Sequence, residues 1–188
     1  MSWQSATDIG SKRFVCGWCS STVAGSTGFK QLRLKNRVAV ISSKIYICPH
    51  CSSPTYFCDD KQHPGVAPGS QVSNVPPDIE ALYDEARQCV AASCFTSAVL
   101  ASRKLLMNIA VNNGAKEGAS FVVYVEHLAS AGFVPPNGRG WVDHIRKKGN
   151  EANHEIALMT RVDAEELLSF SEMLLKFIYE FPSRIPAS

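Results

Sequence analysis

Hydrophobic and polar positions follow two different periods along the chain. Between residues 28 and 57, β-branched and aromatic residues concentrate in short runs separated by polar turns, which predicts strands at 28–34, 37–47 and 55–57. Beyond residue 77, apolar residues recur every three or four positions, as is typical of amphipathic helices. The pattern therefore predicts an α+β protein of two modules, a small β-rich part followed by an all-α part.

Five helices can be delimited from their start and stop signals. The first begins after Pro77, and the second, at about residues 94–113, ends before Gly114. The second is apolar on most sides and is expected to be the central helix. The fourth is expected at 141–154, and Asp163-Ala-Glu-Glu166 predicts a capping box for the fifth. Apolar residues of the fifth helix are expected to face the core: Leu167, Leu168, Met173, Leu174, Phe177 and Ile178.

The two patterns are separated by a stretch without hydrophobic periodicity. Four prolines lie among small polar residues between positions 61 and 77, a composition that disfavours regular secondary structure. This segment is therefore expected to be a linker at 61–76. The helical module is then expected at 77–188, as a bundle of about five helices.

Four of the seven cysteines form two Cys-x-x-Cys pairs, Cys16/Cys19 and Cys48/Cys51. Each pair can turn tightly and direct two sulfurs at one ion, so the two together match a closed tetrahedral zinc site with a structural role. The alternative is a redox dithiol, although such motifs normally occur singly beside a βαβ unit. We therefore expect residues 1–60 to form a zinc ribbon that binds Zn²⁺ through four thiolates. His50 and Cys58 are expected to remain outside the site.

The formal charge of +2 conceals an asymmetry along the chain. Residues 1–58 hold seven basic residues and one acidic residue, for a net charge of +6, whereas residues 59–188 have a net charge of −4. Excess positive charge favours a polyanionic partner such as nucleic acid. The basic residues expected to contact nucleic acid are Lys30, Arg33, Lys35 and Arg37 in the β-rich module, and Arg139, Lys147 and Lys148 around the fourth helix.

Aromatic residues are interleaved with the basic residues of the first module. Such a mixture is used for stacking on single strands, but the same rings are also needed to build the core of a small ribbon. The aromatic residues in question are Trp18, Phe29, Tyr46, Tyr56 and Phe57.

The predicted fourth helix carries Arg146, Asn150 and His154 at intervals of four residues, so the three side chains would share one face. From the residues alone, this polar stripe could be a catalytic site. It could equally be a structural seam in which the arginine and the amide pair with carboxylates of the bundle.

Residues 77–89, 98–103 and 141–154, and above all the pattern Arg-x-x-Gly-Asn-x-x-x-His, resemble a helical domain family of unknown function that is also found fused to restriction-enzyme subunits. That family looks like a branch of the HEPN superfamily. The resemblance covers residues 77–181 and implies a helical bundle that forms homodimers. It also implies a protein that acts on or binds nucleic acid, with RNA as the expected partner, in defence against foreign genetic elements.

Many HEPN proteins are metal-independent ribonucleases, and the resemblance implies corresponding roles here. Arg146 would stabilise the scissile phosphate, His154 would act as general base on the ribose 2′-hydroxyl, and Asn150 would orient one of them. Seven residues separate Arg146 from His154, whereas the HEPN motif has four to six. A non-catalytic adaptor that binds nucleic acid or protein and oligomerises through its bundle therefore stays open.

Several other functional classes find no support in the sequence. No apolar run approaches the roughly 18 residues of a membrane span, so no membrane partner is expected. The first residues lack the pattern of a secretory signal, and we expect a cytoplasmic protein. Recognisable motifs of small-molecule enzymes, such as a glycine-rich phosphate loop, are missing from the sequence.

Overall fold

The computed structural model describes the backbone of residues 3–35, 38–135, 138–154 and 158–184, and the side chains of these residues apart from 35, 39, 139 and 148–154. Internal contacts divide the chain into two compact units, Met1–Ala67 and Pro68–Ser188. The first contains the strands and the second contains the helices, so the protein has the two-module α+β organisation. We call these units the β module and the helical module.

The β module is one antiparallel sheet of five strands in sequential order. The predicted strands correspond to β2, β3 and β4, whereas β1 and β5 were not predicted. Glycine and charged residues interrupt the hydrophobic pattern of β1, and its pairing with β2 shifts register between Asp8 and Lys12, around Gly10 with φ of 85°. The strands are β1 (Thr7–Val15), β2 (Thr22–Lys35), β3 (Val38–Ile47), β4 (Pro54–Cys58) and β5 (Lys61–His63).

A small apolar cluster lies on one side of this sheet. Ile9, Phe14 and Tyr46 are buried in it, and Phe57 packs against it at the edge. The ring of Phe14 lies 6.0 Å from that of Tyr46 and 5.3 Å from that of Phe57. Because Phe14 on β1 meets Phe57 on β4, which are not neighbouring strands, the sheet must be strongly curved. Gly28 allows this curvature, since a Cβ atom there would lie only 1.8 Å from the Ile45 carbonyl oxygen.

The division between the two units falls inside the segment expected to be a linker, between Ala67 and Pro68, and each unit includes part of that segment. Residues 61–63 form β5, and residues 68–75 pack against the helical module. Arg87, only 6% exposed, donates hydrogen bonds to the carbonyl oxygens of Pro68 (2.9 Å) and Gly69 (3.1 Å), and Val72 lies in the helical core. Backbone carbonyls can thus anchor a proline- and glycine-rich segment that has no secondary structure of its own.

The helical module contains five long helices, as the sequence pattern predicted. Helix α2 packs against each of the other four and is lined by buried residues on most sides, including Leu105 and Ile109. It is therefore the central helix. The helices are α1 (Pro77–Ala91), α2 (Phe95–Asn112), α3 (Phe121–Ser130), α4 (Arg139–His154) and α5 (Arg161–Leu175), followed by a π-helical turn at Lys176–Glu180 and by α6 (Phe181–Ser183).

Helix α5 differs from its prediction at both ends. Its capping box is formed by Thr160 and Asp163, each side chain bonding the backbone N–H of the other, and not by Asp163 with Glu166. At the other end Phe177 is 47% exposed, although it was expected in the core. The π-helical turn supplies a reason, because its extra residue per turn rotates the side chains that follow out of the α-helical face.

Candidate metal centre and polar helix

The two Cys-x-x-Cys pairs form nearly identical turns between strands. In the first, the Cys16 N–H donates to Ser21 O (2.9 Å) and the Ser20 N–H donates to Cys16 O (2.8 Å). In the second, Cys48, Ser52 and Ser53 make the same two bonds at 3.0 and 2.9 Å. Ser20 and Ser52 both adopt the left-handed conformation, with φ of 57° and 60°. Each turn therefore brings the first and the second cysteine of its pair to the same side.

The four sulfurs of these turns converge on one point. All lie within 4.8 Å of one another, and the Sγ atoms of Cys16 and Cys51 and of Cys19 and Cys48 are 3.7 and 3.9 Å apart. A tetrahedral ion with zinc–sulfur bonds of about 2.3 Å would require sulfur–sulfur distances of about 3.8 Å. The four cysteines thus fit a metal ion, and the module is consistent with a zinc-ribbon-like fold.

The surroundings of the sulfurs favour the thiolate form of Cys19 and Cys51, the second cysteine of each pair. Burial raises the pKa of the Cys16 thiol to about 11. A backbone hydrogen bond from Ser21, with others from the side chains of Ser21 and His50, lowers the pKa of Cys19 to about 6. Hydrogen bonds from Ser53 also lower the pKa of Cys51. Since thiolates are the species that bind metal, these N–H and O–H donors assist the site.

His50 and Cys58, which were expected not to bind the metal, are not part of the cysteine cluster. His50 is exposed, and its Nδ1 lies 3.4 Å from Ser21 Oγ. The Sγ of Cys58 lies 3.9 Å from Asp59 Oδ2.

Sequence reasoning missed the residues that hold the two turns in place. The indole N–H groups of Trp3 and Trp18 each donate a 2.8 Å hydrogen bond to the second turn, to the carbonyls of Ser52 and Pro54. In the first turn a Cβ on Gly17 would lie 2.4 Å from the Pro64 carbonyl oxygen, so only glycine fits there. These contacts join residues far apart in the sequence, which is why spacing alone gave no signal for them.

The structure describes one of the three proposed catalytic side chains. Arg146 Nη1 donates to Asp143 Oδ1 (3.2 Å) and to Glu126 Oε2 (3.4 Å), and the side chain is 31% exposed. Helix α4 is continuous from Arg139 to His154, which gives Asn150 and His154 the expected helical spacing. Their side chains lie outside the described residues. Arg146 is thus held by two carboxylates, of which Asp143 at i−3 could have been found from the sequence.

The residues expected to contact nucleic acid are described in part. Lys30, Arg33 and Lys147 have exposed side chains. The side chains of Lys35, Arg139 and Lys148, and the whole of Arg37, lie outside the described residues. The aromatic residues divide into two groups: Tyr46 and Phe57 belong to the apolar cluster, whereas Trp18 and Tyr56 are exposed and Phe29 is half-buried.

Helix α4 is also joined to α5 by a pair that the sequence did not reveal. His144 Nε2 lies 2.6 Å from Glu166 Oε2, and both side chains are about 40% exposed.

Within the described part of the chain, no helix combines the length and apolarity needed to cross a membrane.

Comparison with known proteins gives one family. The family model described as "Domain of unknown function (DUF4145)" matches residues 84–187, which is more than half of the chain and includes α2 to α5. Comparisons with curated proteins and with solved structures gave no significant match. The β module with its four cysteines precedes the matched region. The chain therefore belongs to the DUF4145 family, through its helical module.

Proposed function

We propose that this protein is a nucleic-acid-binding protein, with RNA as the expected partner, in which the β module makes the contacts and a structural zinc ion stabilises it. The observation that carries the proposal is the division of charge between the two modules. Residues 1–67 contain eight basic and three acidic residues, for a net charge of +5, whereas residues 68–188 have a net charge of −3. Positive charge concentrated in one small module favours a polyanion.

Zinc is the metal that best suits the four-cysteine site. Four thiolates in a closed tetrahedral arrangement are typical of structural zinc and leave no position open for substrate. Cys16 and Cys48 are fully buried, in agreement with a structural role. Elemental analysis of the purified protein should give about one zinc per chain, and Cys48→Ser should lose it. Cys58→Ser is the matched control, because Cys58 lies outside the cluster.

A titration of fluorescently labelled RNA over a range of salt concentrations tests the binding proposal. The logarithm of the binding constant should fall linearly with the logarithm of salt concentration, by about 0.7 per phosphate contact on a single strand. The double variant Lys30→Gln/Arg33→Gln should reduce this slope by about 1 to 1.5. Lys116→Gln removes one charge from an exposed position of the helical module and should leave the slope unchanged. Absence of binding at low salt would refute the proposal.

A second candidate function is a metal-independent endoribonuclease of the HEPN type, acting as a homodimer. It is supported by helix α4, whose continuous backbone places Arg146, Asn150 and His154 at successive intervals of four residues. Against it, a phosphate would have to compete with Asp143 and Glu126 for the Arg146 guanidinium. We therefore place binding first and catalysis second.

Incubation with mixed RNA in the presence of EDTA decides between the two. A ribonuclease of this type would cleave RNA without metal, and His154→Ala would abolish cleavage. Equal cleavage by His154→Ala and by the unaltered protein would point to a contaminating nuclease and refute the catalytic candidate. Light scattering of the same preparation tests the expected homodimer.

A further inference from the structure

The face of the sheet opposite the apolar cluster carries a row of rings that crosses several strands. Phe29 on β2 is paired with Ile45 on β3, Ile45 with Tyr56 on β4, and Tyr56 with His63 on β5. Directly paired residues of an antiparallel sheet point to the same side, so these four side chains form one line perpendicular to the strands. Trp3 extends the line, with its ring 6.4 Å from that of Phe29. We call these four rings, together with Ile45 in the middle of the line, the ring row.

The ring row is open to solvent. Trp3 is 44% and Tyr56 is 36% exposed, His63 is exposed, and Phe29 and Ile45 are half-buried. The rings of Tyr56 and His63 lie 6.4 Å apart and are tilted by only 34°. A cavity of about 410 Å³ lies over the middle of the row and includes Phe29, Ile45 and Tyr56 in its lining. The module therefore presents flat apolar surfaces that its own core does not use.

The core of the module lies on the other face. Tyr46 and Phe57 alternate along β3 and β4 with Ile45 and Tyr56, and it is Tyr46 and Phe57 that pack with Phe14. The need of a small module for internal aromatic residues is met by these three rings. Apart from Trp3, whose indole N–H also binds the second cysteine turn, the residues of the ring row are not needed for the aromatic core of the β module.

Charge around the ring row is complementary to a polyanion. Among the residues that the structure describes, no acidic side chain lines the cavity. Lys30 and Lys44 border it, but they pair with each other and Lys44 pairs with Phe57, so their side chains point to the opposite face. Arg33 lies four residues after Phe29 on β2, and Lys61 lies two residues before His63 on β5, so both cations point to the face that carries the ring row. Exposed rings flanked by cations are the combination that proteins use to bind unpaired bases and their phosphates.

We propose that the ring row is a stacking platform for unpaired bases of single-stranded nucleic acid. The proposal rests on the proposed binding function and identifies the site and the form of nucleic acid. A base pair in a duplex has both faces covered by its neighbours, whereas a base in a single strand can place a face on Phe29, Tyr56 or Trp3. The platform should therefore distinguish single strands from duplexes of equal length and show little sequence preference.

Fluorescence anisotropy with a labelled single-stranded oligouridine and with an RNA duplex of the same length tests the platform. The single strand should bind more tightly than the duplex at equal salt. Trp3→Ala and Tyr56→Ala should each weaken single-strand binding roughly 5- to 150-fold, the range expected for loss of one stacked base. Tyr56→Phe keeps the ring and should bind within about twofold of the unaltered protein. Leu34→Ala, which shortens another exposed apolar side chain of the same module, should do the same.

The possible outcomes distinguish failure of the stacking platform from failure of the proposed nucleic-acid binding on which it rests. If Tyr56→Ala and Trp3→Ala bind single strands as well as the unaltered protein, while Lys30→Gln/Arg33→Gln binds more weakly, the platform is refuted and nucleic-acid binding stands. If no nucleic acid binds, both fail. If the protein self-associates and Tyr56→Ala abolishes that association without changing RNA binding, the ring row is an interface between copies, which also refutes the platform. Zinc content and circular dichroism of each variant show that the module remains folded.

Discussion

Removal of the proposed zinc ion should unfold the β module and leave the helical module folded. Among the described residues of the β module, the buried apolar cluster contains three large side chains besides the cysteines, Ile9, Phe14 and Tyr46. At ~1.5–3 kcal/mol for each buried side chain, their burial contributes roughly 5–9 kcal/mol. Binding of structural zinc to a site of this type contributes ~10–16 kcal/mol. Because the metal contributes more than the cluster, the module should not remain folded without it.

The helical module has no such dependence. Among the residues that the structure describes, 26 buried residues form its core, contributed by all five long helices, by the segment before α1 and by the loops that hold Val134 and Met159, and none of the four clustered cysteines belongs to it. A core of this size suffices for independent folding of about 120 residues. A strong chelator should therefore produce partial unfolding, with loss of β structure and full retention of the helical signal in far-ultraviolet circular dichroism.

Tryptophan fluorescence provides a local measurement of this unfolding. Trp3 and Trp18 both donate to carbonyl groups of the second cysteine turn, so disruption of that turn should break both hydrogen bonds, complete the exposure of indoles that are already 44% and 60% exposed, and change their emission. Trp141 packs against Phe170 in the helical module and should contribute an unchanged background. Limited proteolysis after chelation should cut within residues 3–67 and spare residues 68–184.

Two cysteine variants make the test specific. Cys48→Ser should resemble the chelated protein, because Cys48 is fully buried in the sulfur cluster. Cys58→Ser should resemble the unaltered protein. The reasoning is refuted if the chelated protein, shown to be free of metal, keeps its fluorescence spectrum and its resistance to proteolysis, since the apolar cluster would then suffice by itself.

Three further predictions concern the helical module. Leu105→Ala, in the central helix and fully buried, should lower the free energy of unfolding by about 2–5 kcal/mol in urea denaturation, and a loss below about 1 kcal/mol would contradict its central position. Thr160→Ala removes one half of the capping box with Asp163 and should cost about 0.5–2 kcal/mol, whereas the exposed neighbour Val162→Ala should cost less than about 0.5. Arg87→Met should cost about 1–3 kcal/mol and accelerate hydrogen exchange in residues 68–75, and unchanged exchange there would show that other contacts hold the segment.

Local sequence patterns were sufficient for features that depend on nearby residues. The spacing within Cys16/Cys19 and Cys48/Cys51 indicated a shared metal site, because two residues between cysteines are enough for the turn that directs both sulfurs. The hydrophobic period likewise indicated the five long helices and the central place of α2. Each cysteine turn and each helix is encoded by residues that are neighbours in the sequence, so a local pattern is enough to predict it.

Boundary positions were predicted less well, because competing local signals differ by only a few tenths of a kcal/mol to about 1 kcal/mol. The sequence favoured a capping box at Asp163–Glu166, whereas Thr160 provides the cap. Strand β1 was missed because Gly10 and its bulge break the alternation that identifies a strand. Its identity depends on pairing with β2, which single-strand periodicity cannot reveal.

The sequence by itself thus determined the two-module organisation, the four clustered cysteines that fit a metal ion and the helical spacing of Arg146, Asn150 and His154. Only the tertiary structure decided which groups meet across the fold, Arg146 with Glu126 on another helix and residues 68–75 with Arg87, and that Phe29 and Tyr56 share one open face of the sheet. The physical reason is that these contacts depend on strand register and helix packing. Both are set by the burial of the whole core and not by any single segment.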